Sequence, residues 1–315
     1  MSEARVGVVV VGMHRSGTTA VTRTINLMGV PTCREDDLAS GWVGNPAGHW
    51  ESLTLMRIDD RLLRELGAAW WCPPPLRDDL WSSRRMDGMR GAARLELEAA
   101  HPTPQWVAKD PRICITLPFW RRTLDRPLVA VLVLRHPLEV AASHASRDSF
   151  PLPFGLALWE RYMHHALRGI AGLPVLVARY DELLADPLAW MEQAAAFLGA
   201  NGVTATPGDP AGIVDPSLRH EQHERGPEAA MSVEQRALAV VLEGLEASPS
   251  LELPALPLET GANDAMFERL RRHRGVARRW RWRRYLNRDR NAVLVRERDL
   301  LAPGSRGAPP QQPTG

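Results

Sequence analysis

Apolar and polar positions fall in blocks along this chain. Val6–Val11 is an unbroken, mostly β-branched apolar run, the pattern of a strand covered on both faces in a parallel sheet. "PLVAVLVLRHP", Pro127 to Pro137, repeats it, and shorter runs in "QWVAKDPR" and "LPVLVARYDELLADP" end at polar tips. Helical stretches lie between them. "TAVTRTINLMG" predicts a helix ending at Gly29, and Leu55, Ile58, Leu62, Leu63 and Leu66 recur at helical spacing in the next apolar block. A further helix runs through Leu97 after the Trp/Pro-rich turn Trp70 to Pro75. "LEVAASHASR" predicts another, with Pro137 in its first turn, and "AWMEQAAAFLG" one that closes at Gly199. Strands alternating with helices predict an α/β fold, a three-layer sandwich with a central parallel sheet. "VPTCREDDLASGWVGNPAGHWES" is a long polar connection punctuated by Gly and Pro, of a kind that is usually functional. Beyond about residue 225 the pattern is mostly helical. Three spans are therefore expected: an α/β domain over 1–225, a helical C-terminal extension over 226–301, and a Gly/Pro/Gln tail over 302–315 with the composition of disorder.

Composition narrows the class. No run approaches the roughly 18 apolar residues of a membrane span, and "MSEARVGVVVVG" lacks a secretory pattern. Cys33, Cys72 and Cys114 are odd in number and lack metal-type spacing, which suits a reduced, cytoplasmic setting. Net charge is +2 but unevenly placed, because the stretch 269–290 carries eleven arginines against one aspartate. Trp280, Trp282 and Tyr285 interleave there, a composition able to meet an anionic surface, glycan or polymer. It contains no recognisable nucleic-acid motif. Lys109 is the single lysine in the chain, and its survival amid such arginine bias singles it out.

The loop after the first strand carries the chemistry. Gly12-Met13-His14-Arg15-Ser16-Gly17-Thr18-Thr19 fits G-x-x-x-x-G-x-T, whose backbone N–H groups and following helix make an anion nest. The nucleotide-hydrolase version needs Lys after the second glycine. Thr18 stands there instead, and Arg135 ends the other long strand where a metal-holding acid would be expected. An anion held by arginine, hydroxyls and backbone amides, without metal, fits these residues better than ATP with Mg²⁺.

With these residues in view, "GMHRSGTT" resembles the 5′-phosphosulfate loop of sulfotransferases that use 3′-phosphoadenosine 5′-phosphosulfate (PAPS). "VLVLRHPLEVAASHASR" resembles their 3′-phosphate motif, with Arg135 at the strand tip and Ser143 eight residues on. "NPAGHWES", "WVAKDPR" and "RYDELLADP" are similar to segments of bacterial members, so the likeness spans roughly residues 6 to 200. The resemblance implies a P-loop-like sulfotransferase fold and transfer of a sulfuryl group from PAPS to a hydroxyl or amine of a carbohydrate or small metabolite. It assigns His14, Arg15, Ser16, Gly17, Thr18 and Thr19 to the phosphosulfate, and Arg135 and Ser143 to the 3′-phosphate. Arg219, in "DPSLRHE", matches a late family segment that would cap the nucleotide. The family's proton acceptor lies on the loop or helix after the phosphosulfate loop, which here offers Glu51, Glu35 and His49. Glu51 closes the best-matching block, and Glu35 has a spacing from Arg15 that resembles tyrosylprotein sulfotransferases. Lys109 resembles their strand-tip lysine, a compact cation able to follow charge onto the leaving oxygen. Two other readings are weighed beside this one: a degenerate P-loop kinase or ATPase, and a non-enzymatic module whose basic C-terminal helix binds an anionic polymer.

Overall fold

The computed structural model describes residues 5–39, 50–210 and 228–272. Four parallel strands form its sheet: β1 (Val6–Val11), β2 (Gln105–Lys109), β3 (Leu128–Leu134) and β4 (Val175–Arg179), in the order β2-β1-β3-β4. The register sets Val10 beside Lys109, Val11 beside Leu132 and Leu134 beside Arg179. Because every strand runs the same way, the four polar tips meet along one edge of the sheet.

The helices are α1 (Thr18–Leu27), α2 (Leu53–Glu65), α3 (Arg84–Ala100), α4 (Ile113–Thr123), α5 (Pro137–Asp148), α6 (Leu152–Ile170), α7 (Tyr180–Ala185), α8 (Pro187–Ala200), α9 (Val233–Glu243) and α10 (Gly261–Arg272). Successive strand residues point to opposite faces. Val6, Val8, Val10, Val107, Val129, Val131, Val133, Leu176 and Ala178 pack with Val21 and Ile25 of α1 and Trp190, Met191, Ala194 and Leu198 of α8. The alternate residues, Val9, Val11, Ala130 and Leu132 among them, are buried on the other face, where α4 packs against β1 and α6 against α4 and α5. The result is the three-layer α/β arrangement that the strand–helix alternation predicts.

Two helices lie outside the sequence expectations. α6 is buried without a break from Gly155 to Leu167, so it shows no polar stripe and no helical period to read. α4 is nearly as buried and has Pro118 in its interior, which makes a short apolar run look like anything but a helix.

The segment from 228 is folded into the same compact unit, which extends to Glu268. Glu160 of α6 accepts from Gln235 Nε2, Asn263 Nδ2, and both the backbone N–H and hydroxyl of Thr260. Its neighbour Arg161, fully buried, reaches Glu259 and Asp264 at 2.6 Å each and donates to Pro74 O at 2.8 Å. Ser248 forms an antiparallel bridge with Val175 of β4, and the stretch between α9 and α10 is not helical. From Arg269 onward the chain forms a second unit, of which only the last turn of α10 is described. The arginine-rich expectation at 269–290 and the tail at 302–315 thus lie almost wholly outside the described residues. No described helix is long and apolar enough to cross a membrane.

Candidate active site

The connection after β1 is a tight turn whose shape needs its second glycine. Gly17 is left-handed (φ 94°) and caps α1 with no side-chain hydrogen bond. A Cβ there would run into the ring of Tyr180, so only glycine permits the close approach. The first turn of α1 carries no acidic residue, leaving its positive end for an anion. Ser16 and Thr18 are buried, and Ser16 N donates to Met13 O. Arg15 is also left-handed (φ 70°), a conformation that costs a non-glycine residue energy unless its surroundings hold it.

Those surroundings come from β3 and α5. Arg135, just past the end of β3, donates Nη1–H to the backbone oxygen of Arg15 at 3.0 Å and pairs with Glu139 at 3.0 Å. Its guanidinium also lies over the Tyr180 ring, 5.2 Å from the centroid. Arg15 Nε in turn donates to Ser143 Oγ at 2.9 Å. The sequence reading gives Arg15 and Ser143 to separate phosphate sites; folded, the two motifs touch, because β1 and β3 are adjacent in the sheet. Two guanidinium groups and a hydroxyl therefore stand together at the edge of the sheet, a chemistry suited to phosphate and sulfate oxygens.

On the other side of β1, Lys109 ends β2. It is buried, and its ammonium donates to Glu51 Oε1 at 2.6 Å and to Thr19 Oγ1 at 3.2 Å. Glu51 is buried as well, so this is a desolvated ion pair. Asp110 takes hydrogen bonds from Arg112 N and, through both oxygens, from Arg112 Nη1, while Arg112 Nε pairs with Asp60 at 2.9 Å. Burial raises Asp110 to about 6, against the pull of Arg112 and helped by the charge of Glu51. Asp59, also buried, accepts from Trp120 Nε1 at 2.8 Å; burial and then Asp110 hold it well above the usual carboxylate range. Near Glu51 the long loop is closed at its base. Leu38 bridges Ser52, Ala39 N donates to Glu51 O, and buried Asp37 accepts from Ser52 Oγ and from Thr54 N and Oγ1.

The sulfotransferase family profile matches residues 7–204, a span holding the loop Gly12 to Thr19, Glu51, Lys109, Arg135 and Ser143. This chain belongs to the sulfotransferase family. Among solved structures, this sulfotransferase is similar to STF9 from Mycobacterium avium, with 14% identity and a TM-score of 0.45 over 79% of each chain. It is similar to the sulfotransferase domain of the Synechococcus PCC 7002 olefin synthase, at 15% identity and TM-score 0.37, covering 86% of this chain and 96% of that one. STF1 from Mycobacterium tuberculosis H37Rv matches at 17% identity and TM-score 0.40 over 77% of each chain. No curated protein matches it.

Of the residues singled out in the sequence, Arg15, Ser16, Gly17, Thr18, Thr19, Lys109, Glu51, Arg135 and Ser143 of this sulfotransferase gather at one edge of the sheet. His14 joins them from the same loop, its ring 4.9 Å from Trp70 and 5.8 Å from Tyr162. Burial, then the charge of Arg112, pushes His14 well below the usual imidazole range. Glu35 is exposed on a 3₁₀ turn, Glu35–Asp37, whose preceding residue Arg34 bonds to Ala100 O before β2 begins. His49 and Arg219 lie outside the described residues. Sequence reasoning passed over Asp59, Asp60 and Asp110–Arg112 as chemistry, and it missed the His144–Asp148 pair, 2.7 Å apart on α5. That i, i+4 spacing of His and Asp was visible in the sequence, but only their burial distinguishes the pair from a solvated helix face. Among the described residues no group of three His, Cys, Asp or Glu side chains is arranged to hold a metal ion.

Proposed function

We propose that this sulfotransferase takes PAPS as its donor and delivers the sulfuryl group to a hydroxyl or amine of a carbohydrate or small-metabolite acceptor. The observation that carries this reading is the meeting of Arg15, Ser143 and Arg135 at adjoining strand tips, with the Lys109–Glu51 pair against Thr19 beside them. PAPS bears a phosphosulfate and a separate 3′-phosphate, so its binder needs two anion sites, and the crevice outside the strand tips of a parallel sheet is a natural place for both. The uncapped start of α1, Arg15, Ser16, Gly17, Thr18 and Thr19 would hold the phosphosulfate, with His14 alongside. Arg135 and Ser143 would hold the 3′-phosphate, and Arg219 would close over the nucleotide. PAPS, when bound, supplies the activated sulfuryl group.

The chain's own residues supply the rest. Lys109 spans the gap between Thr19, under the anion nest, and Glu51. Glu51 is the proton acceptor for the incoming hydroxyl in this reading, and as it takes that proton its hold on the ammonium weakens. Lys109 is then free to neutralise charge growing on the oxygen that leaves sulfur. Glu35, exposed and tied to a different part of the chain, is the weaker candidate for the same role.

Titration calorimetry with 3′-phosphoadenosine 5′-phosphate tests the donor. The wild type should bind it in preference to ATP with Mg²⁺. Arg135→Ala should weaken that binding by roughly 10- to 100-fold, the worth of a charge-assisted hydrogen bond. Preference for ATP with Mg²⁺, or equal affinity in the variant, would reject the reading.

A further inference from the structure

One residue beyond Ser143, α5 carries a polar assembly that the transfer chemistry above leaves unused. His144 Nδ1 lies 2.7 Å from Asp148 Oδ2, one turn on, and both side chains are almost fully buried. Facing a carboxylate, Nδ1 is the nitrogen that donates, which leaves Nε2 as the one to meet a further partner. That Nε2 is buried without a hydrogen-bond partner, and so is Nε2 of His14. Buried polar atoms of this kind are uncommon and call for a partner.

The two ring centroids are 6.2 Å apart. A hydroxyl can both donate to an imidazole lone pair and accept from an imidazole N–H, so it is a group able to serve bare nitrogens on neighbouring rings. Around them the rings close a circuit: His14 against Trp70, Trp70 stacked on Phe150 at 5.9 Å, and Phe150 stacked on His144 at 5.5 Å. His14 is only partly buried and precedes Arg15, so a group reaching this nitrogen pair enters beside the phosphosulfate loop.

We propose that the Nε2 atoms of His14 and His144, the latter backed by Asp148, form an acceptor-recognition site that takes an anchoring hydroxyl of a ring-bearing polyol. This rests on the sulfotransferase reading above and gives its acceptor a second polar group, a hydroxyl, besides the one that reacts. The anchoring hydroxyl is distinct from the reacting group, which must stand at the sulfur beside Arg15–Thr19. His144 is thus a specificity-determining residue, and Asp148 positions it.

The test uses the full chain with ¹⁵N-labelled histidine, with and without 3′-phosphoadenosine 5′-phosphate, titrated with trans-cyclohexane-1,2-diol and with its dimethyl ether. The diol should move the Nε2 resonances of His14 and His144. The ether, which has no hydroxyl to donate to a bare imidazole nitrogen, should bind about tenfold more weakly or worse. His144→Gln, whose amide oxygen still accepts, should keep most of the diol affinity. The double variant His144→Phe with Asp148→Leu, which removes the buried pair as a unit, should lose that affinity and keep that for the bisphosphate. Nε2 resonances unmoved by the diol, or an ether that binds as well as the diol, would overturn the assignment. Bisphosphate binding without diol binding rejects this site alone; diol binding without bisphosphate binding keeps the site and rejects the donor.

Discussion

Two regions of this sulfotransferase bury charge, and they do it differently. On α6, Glu160 and Arg161 are saturated: Glu160 receives donors from Gln235, Thr260 and Asn263, and each arm of Arg161 meets an acceptor in Glu259, Asp264 or Pro74. At the strand tips the matching is incomplete. Lys109 has three N–H donors and two acceptors among the described residues, and Nε2 of both His14 and His144 is bare. A saturated polar cluster specifies one packing and holds it. An unsaturated one, kept buried at some cost, has capacity left for a ligand. The difference separates a joint that fastens residues 228–268 to the core from a site built to receive something.

The contrast can be broken from either side. The largest effect should come from Glu51→Gln, expected to cut turnover by roughly 10²–10⁴, the range of a general base. Its unfolding midpoint should fall as well, because the neutral amide leaves the buried Lys109 ammonium without its counter-charge, so turnover is compared where the variant is still folded. A rate assay beside thermal unfolding reads both, and an unchanged rate would return Glu51 to a structural role. Next comes Arg161→Met, which leaves Glu259 and Asp264 without their cation and should cost about 3–5 kcal/mol of stability, the usual toll for orphaning a buried charge. Nucleotide affinity, by contrast, should barely change. Loss of nucleotide binding at full stability would mean the two regions are one.

The smallest effect sharpens the comparison through pH. Burial pushes His165 down to about 3 from 6.5, so the unfolded chain takes up its proton well before the folded one. The stability this neutral ring contributes is complete above about 6.5 and lost as pH falls toward 3. Pro74 O, which His165 meets, also accepts from Arg161, so His165→Phe leaves no orphaned carbonyl. Urea midpoints for the variant should therefore fall less steeply with acid than those of the wild type. Parallel curves would show that His165 titrates normally in the fold.

Much of the molecule could be read before it was folded. Val6–Val11 and Leu128–Leu134 are continuous apolar runs that only a sheet covered on both faces can use, and the glycine-bracketed turn Gly12 to Thr19 follows the first of them. α6 could not be read that way, since a helix buried from Gly155 to Leu167 carries no amphipathic stripe. Glu51 and Lys109 were each visible as candidates, but nothing local joins residues 58 apart in sequence.

The sequence by itself determined the strand–helix order, the glycine-bracketed loop after β1 and the residue types that bring charge to it, because these depend on periodicity and backbone freedom over a few residues. Only the tertiary structure decided which of those groups meet. Placing β1 between β2 and β3 brings Lys109 to one side of the loop and Arg135 to the other. Burial then decides the chemistry: a paired ammonium, a raised aspartate and two bare imidazole nitrogens are properties of the surroundings, and the surroundings come from residues far away in the chain.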